Sequence, residues 1–185
     1  MSRVEYAFKE LVSHLPIILP VIIISVVAFL LELVLLRFFP SPLTKAMVYL
    51  IEGIAFSLEA GMAFSGYMIS PRLSDEISDV NSRLGSVIAL GVVLGVFLLV
   101  FSFLPLSLLF DALSMSFLFL SYPFVYRSRL RGVGEALDWL SNSLQKDPLS
   151  FLVVYIASVL SFFPVVDILA IPYAVILSYV LYREV

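Results

Sequence analysis

The sequence predicts an all-α integral membrane protein: six transmembrane helices arranged as three pseudo-repeated hairpins, each preceded by a cytoplasmic amphipathic helix. Three observations carry this expectation. Six predominantly apolar stretches run over 16–39, 46–69, 84–104, 106–126, 149–163 and 165–181. Most of them approach or exceed the about 20 residues a helix needs to cross a ~30 Å hydrocarbon core. The basic residues alternate between these stretches, nine of the 11 Lys and Arg falling on one side of the pattern. Three charged, amphipathic segments recur ahead of the first, third and fifth stretches.

The alternation sets the orientation. Arg3 and Lys9 precede the first stretch, Arg72 and Arg83 separate the second from the third, and Arg127, Arg129, Arg131 and Lys146 separate the fourth from the fifth. Arg183 follows the sixth, and only Arg37 and Lys45 lie on the opposite side. By the positive-inside rule both termini face the cytoplasm, which predicts a multi-pass protein of the plasma membrane. The first apolar stretch has the length of a full span and no small-residue cleavage site after it, so it is expected to be a span and not a secretory signal.

Composition agrees with a bilayer environment. Mean hydropathy is +1.10, and 62% of residues are hydrophobic against 14% charged, where soluble proteins carry about 25% charged residues. The whole of 1–185 reads as a single membrane domain. Cysteine is absent, which excludes disulfides and thiolate metal sites.

The amphipathic segments cover 4–16, 73–85 and 133–144, with apolar residues at three- and four-residue intervals among charges. They divide the chain into pseudo-repeats 1–69, 70–130 and 131–185, each an interfacial helix, a span, a tight outer turn and a returning span. The turns fall at Pro40-Ser41-Pro42, at Pro105, and at Pro164 with Asp167, where proline ends a helix without needing a donor. Tyr6 and Trp139 are the expected interfacial anchors, since amphipathic rings favour the headgroup level. Gly91 and Gly95, spaced as Gly-x-x-x-Gly, form a smooth face for close helix packing.

Several of these segments resemble a known group. Glu135-Ala136-Leu137 with Asp147-Pro148, and the tail from Ile171-Pro172-Tyr173-Ala174 through Tyr182-Arg183-Glu184, resemble prokaryotic membrane proteins related to the membrane domain of glycerophosphoryl diester phosphodiesterases. Ala7-Phe8 with Pro16 echoes the first of these. The resemblance implies an integral membrane domain. It does not imply phosphodiesterase activity, which in such enzymes resides in a separate soluble barrel.

Acids within the apolar stretches are the functional lead. Glu52 and Glu59 are seven apart, so they share a helical face about 10 Å apart along the axis. Glu59 is about 21 Å along the helix from Lys45, and a carboxylate at such depth costs several kcal/mol unless paired, hydrated or protonated. Glu32 is expected at the depth of Glu52. Two readings compete. In one, Arg37 and Lys45 neutralise Glu32 and Glu52 while Glu59 bonds to Ser57, Ser65, Ser116 or Tyr122. In the other, the three glutamates line a site for a cation or proton. Asp111 and Asp167 are expected near the outer surface, as helix caps.

Catalysis has little support. His14 is the one histidine, at the cytoplasmic interface, and no metal-ligand pair, nucleophile elbow or phosphate loop occurs. Neither enzyme activity, a metal nor a cofactor is expected. The acids outnumber the bases in the membrane and its outer half, which favours cations and leaves nucleic acid no role. Three functions follow: a small transport or permeation protein with an acidic cavity for a cation or proton; a non-catalytic scaffold or lipid-interacting subunit; and a solute-binding subunit of a larger importer. The bilayer is the implied partner, and a homo-oligomer or a membrane complex stays open.

Overall fold

The computed structural model describes residues 2–70, 72–127, 133–163 and 165–183, without the side chains of 125–127, 133–138 and 143. Among the described residues the chain is all-helical. Arg129, Arg131, Pro164 and Glu184, and the side chains of Arg127, Glu135 and Asp138, lie outside that description. In order, the helices are α1 (Arg3–Ser13), α2 (Ile18–Phe38), α3 (Pro42–Met68), α4 (Leu73–Ser82), α5 (Leu84–Phe101), α6 (Ser107–Arg127), α7 (Val133–Lys146), α8 (Pro148–Leu160) and α9 (Asp167–Arg183). A 3-10 turn, Leu15–Ile17, leads into α2. Every expected amphipathic and apolar segment is therefore helical.

Four helices are long and apolar enough to cross a membrane: Leu15–Phe38, Pro42–Met68, Leu84–Phe101 and Ser107–Phe124. The last hairpin is shorter, with 13 residues in α8 and 17 in α9. Helix α2 shows what surrounds the bundle. Only Pro20 and Val21 of its 21 residues are buried, and its exposed Ile, Val, Leu and Phe side chains have no use for water.

The core is built on α3 and α9. Helix α3 packs against α2, α4, α5 and α9, which its small residues Gly53, Ala55, Ala60, Gly61, Ala63 and Gly66 allow. The Gly91 and Gly95 face of α5 meets Gly53 of α3, where an added Cβ would sit 2.4 Å from the Gly95 nitrogen and 2.5 Å from the Gly91 oxygen. The expected glycine face thus serves a contact within one chain. Nearby, Ser57 of α3 donates to the Val87 carbonyl at 2.6 Å, and Tyr122 of α6 donates to the Ser57 carbonyl.

Two turns share one design. Ser102-Phe103-Leu104-Pro105-Leu106 and Ser161-Phe162-Phe163-Pro164-Val165 have the same pattern 59 positions apart. In the first, Ser102, Phe103 and Leu104 donate their amides to Leu98, Val100 and Phe101. In the second, Ser161, Phe162 and Phe163 donate to Ala157, Val159 and Leu160, the equivalent positions. Leu106 and Val165 both take positive φ, 62° and 77°, a region that costs a side chain energy.

The amphipathic helices are tied down by polar contacts. Ser2 and Glu5 form a reciprocal cap on α1, with Glu5 N donating to Ser2 Oγ at 3.2 Å and Ser2 N to Glu5 Oε2 at 2.9 Å. Arg3 pairs with Asp147 at 2.8 Å, and Asp147 caps α8 through the Ser150 amide at 3.1 Å. Burial works against the Asp147 carboxylate, but hydrogen bonds from Ser150 and Arg3 hold it below the usual carboxylate range. Tyr6 is exposed, and its hydrogen bond with Glu10 raises the phenol above its ordinary value. Trp139 also packs within the bundle. Its ring lies edge-on to Phe124 of α6 at 4.8 Å and tilted against Tyr182 of α9 at 5.9 Å, as aromatic pairs prefer.

Glu76 of α4 is 1% exposed. Its carboxyl packs on Gly66, where an added Cβ would meet Oε1 at 2.6 Å, and Oε2 has no hydrogen-bond partner. Burial first, and the neighbouring Asp75 second, push its pKa from 4.5 to about 7.

Candidate functional site

The site begins with two helices in antiparallel register. Ser25 of α2 lies opposite Glu59 of α3, its Oγ 2.7 Å from Glu59 Oε1. Seven residues further along α2 is Glu32, and seven residues back along α3 is Glu52. That register puts the two glutamates at one level, as expected. The turn between α8 and α9 closes the third side. Glu32, Glu52, Glu59 and Asp167 then line one cleft of about 320 Å³, whose walls include Ser25, Phe29, Phe56 and Phe162.

Glu59 is the innermost of these groups, 2% exposed, and its Oε2 has no hydrogen-bond partner. Ser25 Oγ stands between acceptors. It reaches the Val21 carbonyl at 2.9 Å as well as Glu59, and it also contacts the Asp167 carboxyl. A hydroxyl has one hydrogen to donate, so three acceptors cannot all be served by it.

The expected charge partners are not in place. Arg37 and Lys45 are exposed, and neither takes part in the ion pairs formed among the described residues. Helical geometry accounts for this. Arg37 is five residues beyond Glu32, about 140° around the helix, and Lys45 stands about 10 Å along the axis from Glu52. The expected hydrogen-bond partners of Glu59 are also elsewhere: Ser57 bonds Val87, and Ser116 bonds Ser158 at 2.9 Å. Ser65 Oγ is buried without a partner. Ser25 takes the role instead.

Asp167 is the second correction. It opens α9 and accepts from the adjacent Ile168 amide at 2.8 Å, but it lies in the cleft beside Ser25 and not at the level of the α2–α3 turn. The cause is the short last hairpin. At 13 residues α8 rises about 20 Å, against about 40 Å for the 27 residues of α3, so the α8–α9 turn reaches only part of the way along α3. Asp111 of α6 lies outside the cleft, with its Oδ1 buried and unpartnered.

Ser25 and Asp167 are the site residues that sequence reasoning missed. A signal for Ser25 was present: between Ile18 and Leu31 it is the one polar side chain of α2, and it lies seven residues from Glu32. Among the described residues no group of three or more His, Cys, Asp or Glu is gathered closely enough to hold a metal ion. Comparison of this chain with protein-family models, with curated proteins and with solved structures finds no match.

Proposed function

We propose that this chain is a small, non-catalytic membrane transport or permeation protein whose acidic cleft binds a cation or proton at Glu59. One observation carries the reading. Glu59, whose buried Oε2 has no hydrogen-bond partner, lines a cleft with three more acids, and no base is paired with any of them among the described residues. Ionisable groups in such positions are rare and mark ion or proton pathways.

The same proposal includes six membrane helices in three related hairpins, with both termini cytoplasmic. The shared turn after α5 and α8 supports kinship of the last two hairpins, and the distribution of bases supports the orientation.

Flux into reconstituted vesicles tests the function. Glu59→Gln keeps the shape and hydrogen bonding of a protonated acid, so the variant should fold normally and lose pH- or cation-dependent flux. A folded variant with unchanged flux would defeat the reading and bring forward the second one, a lipid-interacting scaffold. That alternative draws on a different observation, an apolar groove of about 320 Å³ lined by Pro20, Ile23, Leu58, Met62, Leu73 and Ile77.

A further inference from the structure

We propose that the cation taken by the acidic cleft is an organic ammonium ion with an apolar substituent, reaching Glu59 from the bilayer side. This rests on the reading of the cleft as a cation site and names the class of cation.

The carboxyls are arranged poorly for a metal. Hard cations draw six or more oxygens into one shell. Here Glu52 and Glu59 stand about 10 Å apart along α3, and no metal-holding group of acids and histidines forms among the described residues. The space also exceeds what a bare ion needs. At about 320 Å³ it sits at the small end of organic-ligand pockets, which begin near ~300 Å³.

The walls supply what an ammonium ion uses. Phe29, Phe56 and Phe162 line the cleft, and Phe56 and Phe162 meet edge to face at 5.4 Å. Aromatic faces attract organic cations through the ring quadrupole and form the usual cage for quaternary ammonium. Behind them the partnerless Oε2 of Glu59, itself buried, supplies a full countercharge once ionised. The remaining wall is aliphatic, including Ile22, Val26 and Ile168. A substituent that is itself apolar fits there, and a hydrated inorganic ion does not.

The mouth faces lipid. Val26 and Phe29 on α2 are both more than half exposed, as is Val165 in the turn, and every exposed side chain of α2 from Leu19 to Leu36 is apolar. An amphiphilic cation dissolved at the membrane interface therefore meets an apolar rim before the acid.

The test is calorimetric titration of the full chain in lipid nanodiscs with benzyltrimethylammonium, and separately with sodium, potassium and magnesium chlorides. Benzyltrimethylammonium should bind saturably. Glu59→Gln should weaken it at least about tenfold, as expected for loss of a charge-assisted contact. Phe56→Leu should weaken it about two- to thirtyfold, the range of cation–π contributions. Val26→Trp, an exposed substitution that fills the mouth and leaves Glu59 untouched, should also abolish binding and keeps the test valid if Glu59→Gln does not fold. Ammonium binding unchanged in folded Glu59→Gln, or in Val26→Trp, would overturn the proposal. Glu59-dependent binding of an inorganic cation without binding of the ammonium would overturn it while sparing the cation-site reading. Absence of binding by all four cations would remove both.

Discussion

An alanine at Gly53 would put its methyl carbon 2.4 Å from the Gly95 nitrogen and 2.5 Å from the Gly91 oxygen, where ordinary contact begins near 3.4 Å. The shortfall is about 1 Å, and both obstructing atoms are main chain, so no rotamer change relieves it. Helices α3 and α5 must part or shift. Overpacking of a tight core costs about 1–3 kcal/mol, and the upper end applies where backbone opposes backbone. Alanine regains roughly 1 kcal/mol of helix propensity over glycine, leaving Gly53→Ala destabilised by about 1–2 kcal/mol. Gly85 provides the internal control. It lies in the first turn of α5 with nothing within 4 Å of a Cβ built on it, so Gly85→Ala should be neutral or more stable by up to about 1 kcal/mol. Thermal unfolding in detergent micelles, followed by circular dichroism, compares the two against the wild type. A Gly53→Ala protein that melts with Gly85→Ala would refute the close α3–α5 contact.

Glu76 gives a pH dependence. Its pKa is higher in the fold, about 7 against 4.5, so the folded state holds the proton more tightly. The associated stability is full below pH 4.5 and is lost as pH rises through about 7. The loss amounts to about 1–3 kcal/mol after allowance for partial solvation. Glu76→Gln should flatten that part of the profile, and a wild-type melting temperature constant from pH 4.5 to 8 would contradict it. Asp147→Ala should destabilise by about 0.5–2 kcal/mol through loss of the α8 cap, whereas Arg3→Ala should cost no more than about 1 kcal/mol. Equal effects in chemical unfolding would place the weight on the ion pair instead. Because the Asp147 pKa is depressed, its contribution should persist at neutral pH and fade only as pH falls through the low folded value. Val165→Gly should raise stability by about 1 kcal/mol by removing a β-branched side chain from positive φ, and a lowered melting temperature would show that the side chain is needed there.

Helix positions were legible because length and hydropathy change sharply at their ends: Pro42 opens α3 and Pro148 opens α8, each beside a capping side chain, Ser41 and Asp147. The Glu52 and Glu59 face was legible from a seven-residue spacing, and the level of Glu32 from the antiparallel return of a hairpin. The neighbours of Glu59 were not. Ser25 meets it across 34 positions, and only the register of α2 on α3 decides which serine arrives there. Asp167 was misplaced because the depth of a turn depends on where its whole hairpin sits, which periodicity within one helix does not encode. The ring contacts of Trp139 were hidden for a similar reason, since Phe124 and Tyr182 come from two other helices.

The burial of α3 on several sides has a consequence for how the chain enters a membrane. The most apolar 18-residue stretch has a mean hydropathy of 3.0 within Leu15–Phe38 and 2.8 in Leu84–Phe101, but 1.4 within Pro42–Met68. The first two partition into lipid unaided, while α3, with two glutamates and a run of small residues, gains little from hydrocarbon alone. A companion helix would ease its insertion, and the first available is α2, which carries Ser25 to Glu59. The pairing that builds the cleft is in that case also the step that admits its central helix to the bilayer. Polar substitutions at Ser25 or along the α2–α3 seam would show up first as failed insertion and low yield.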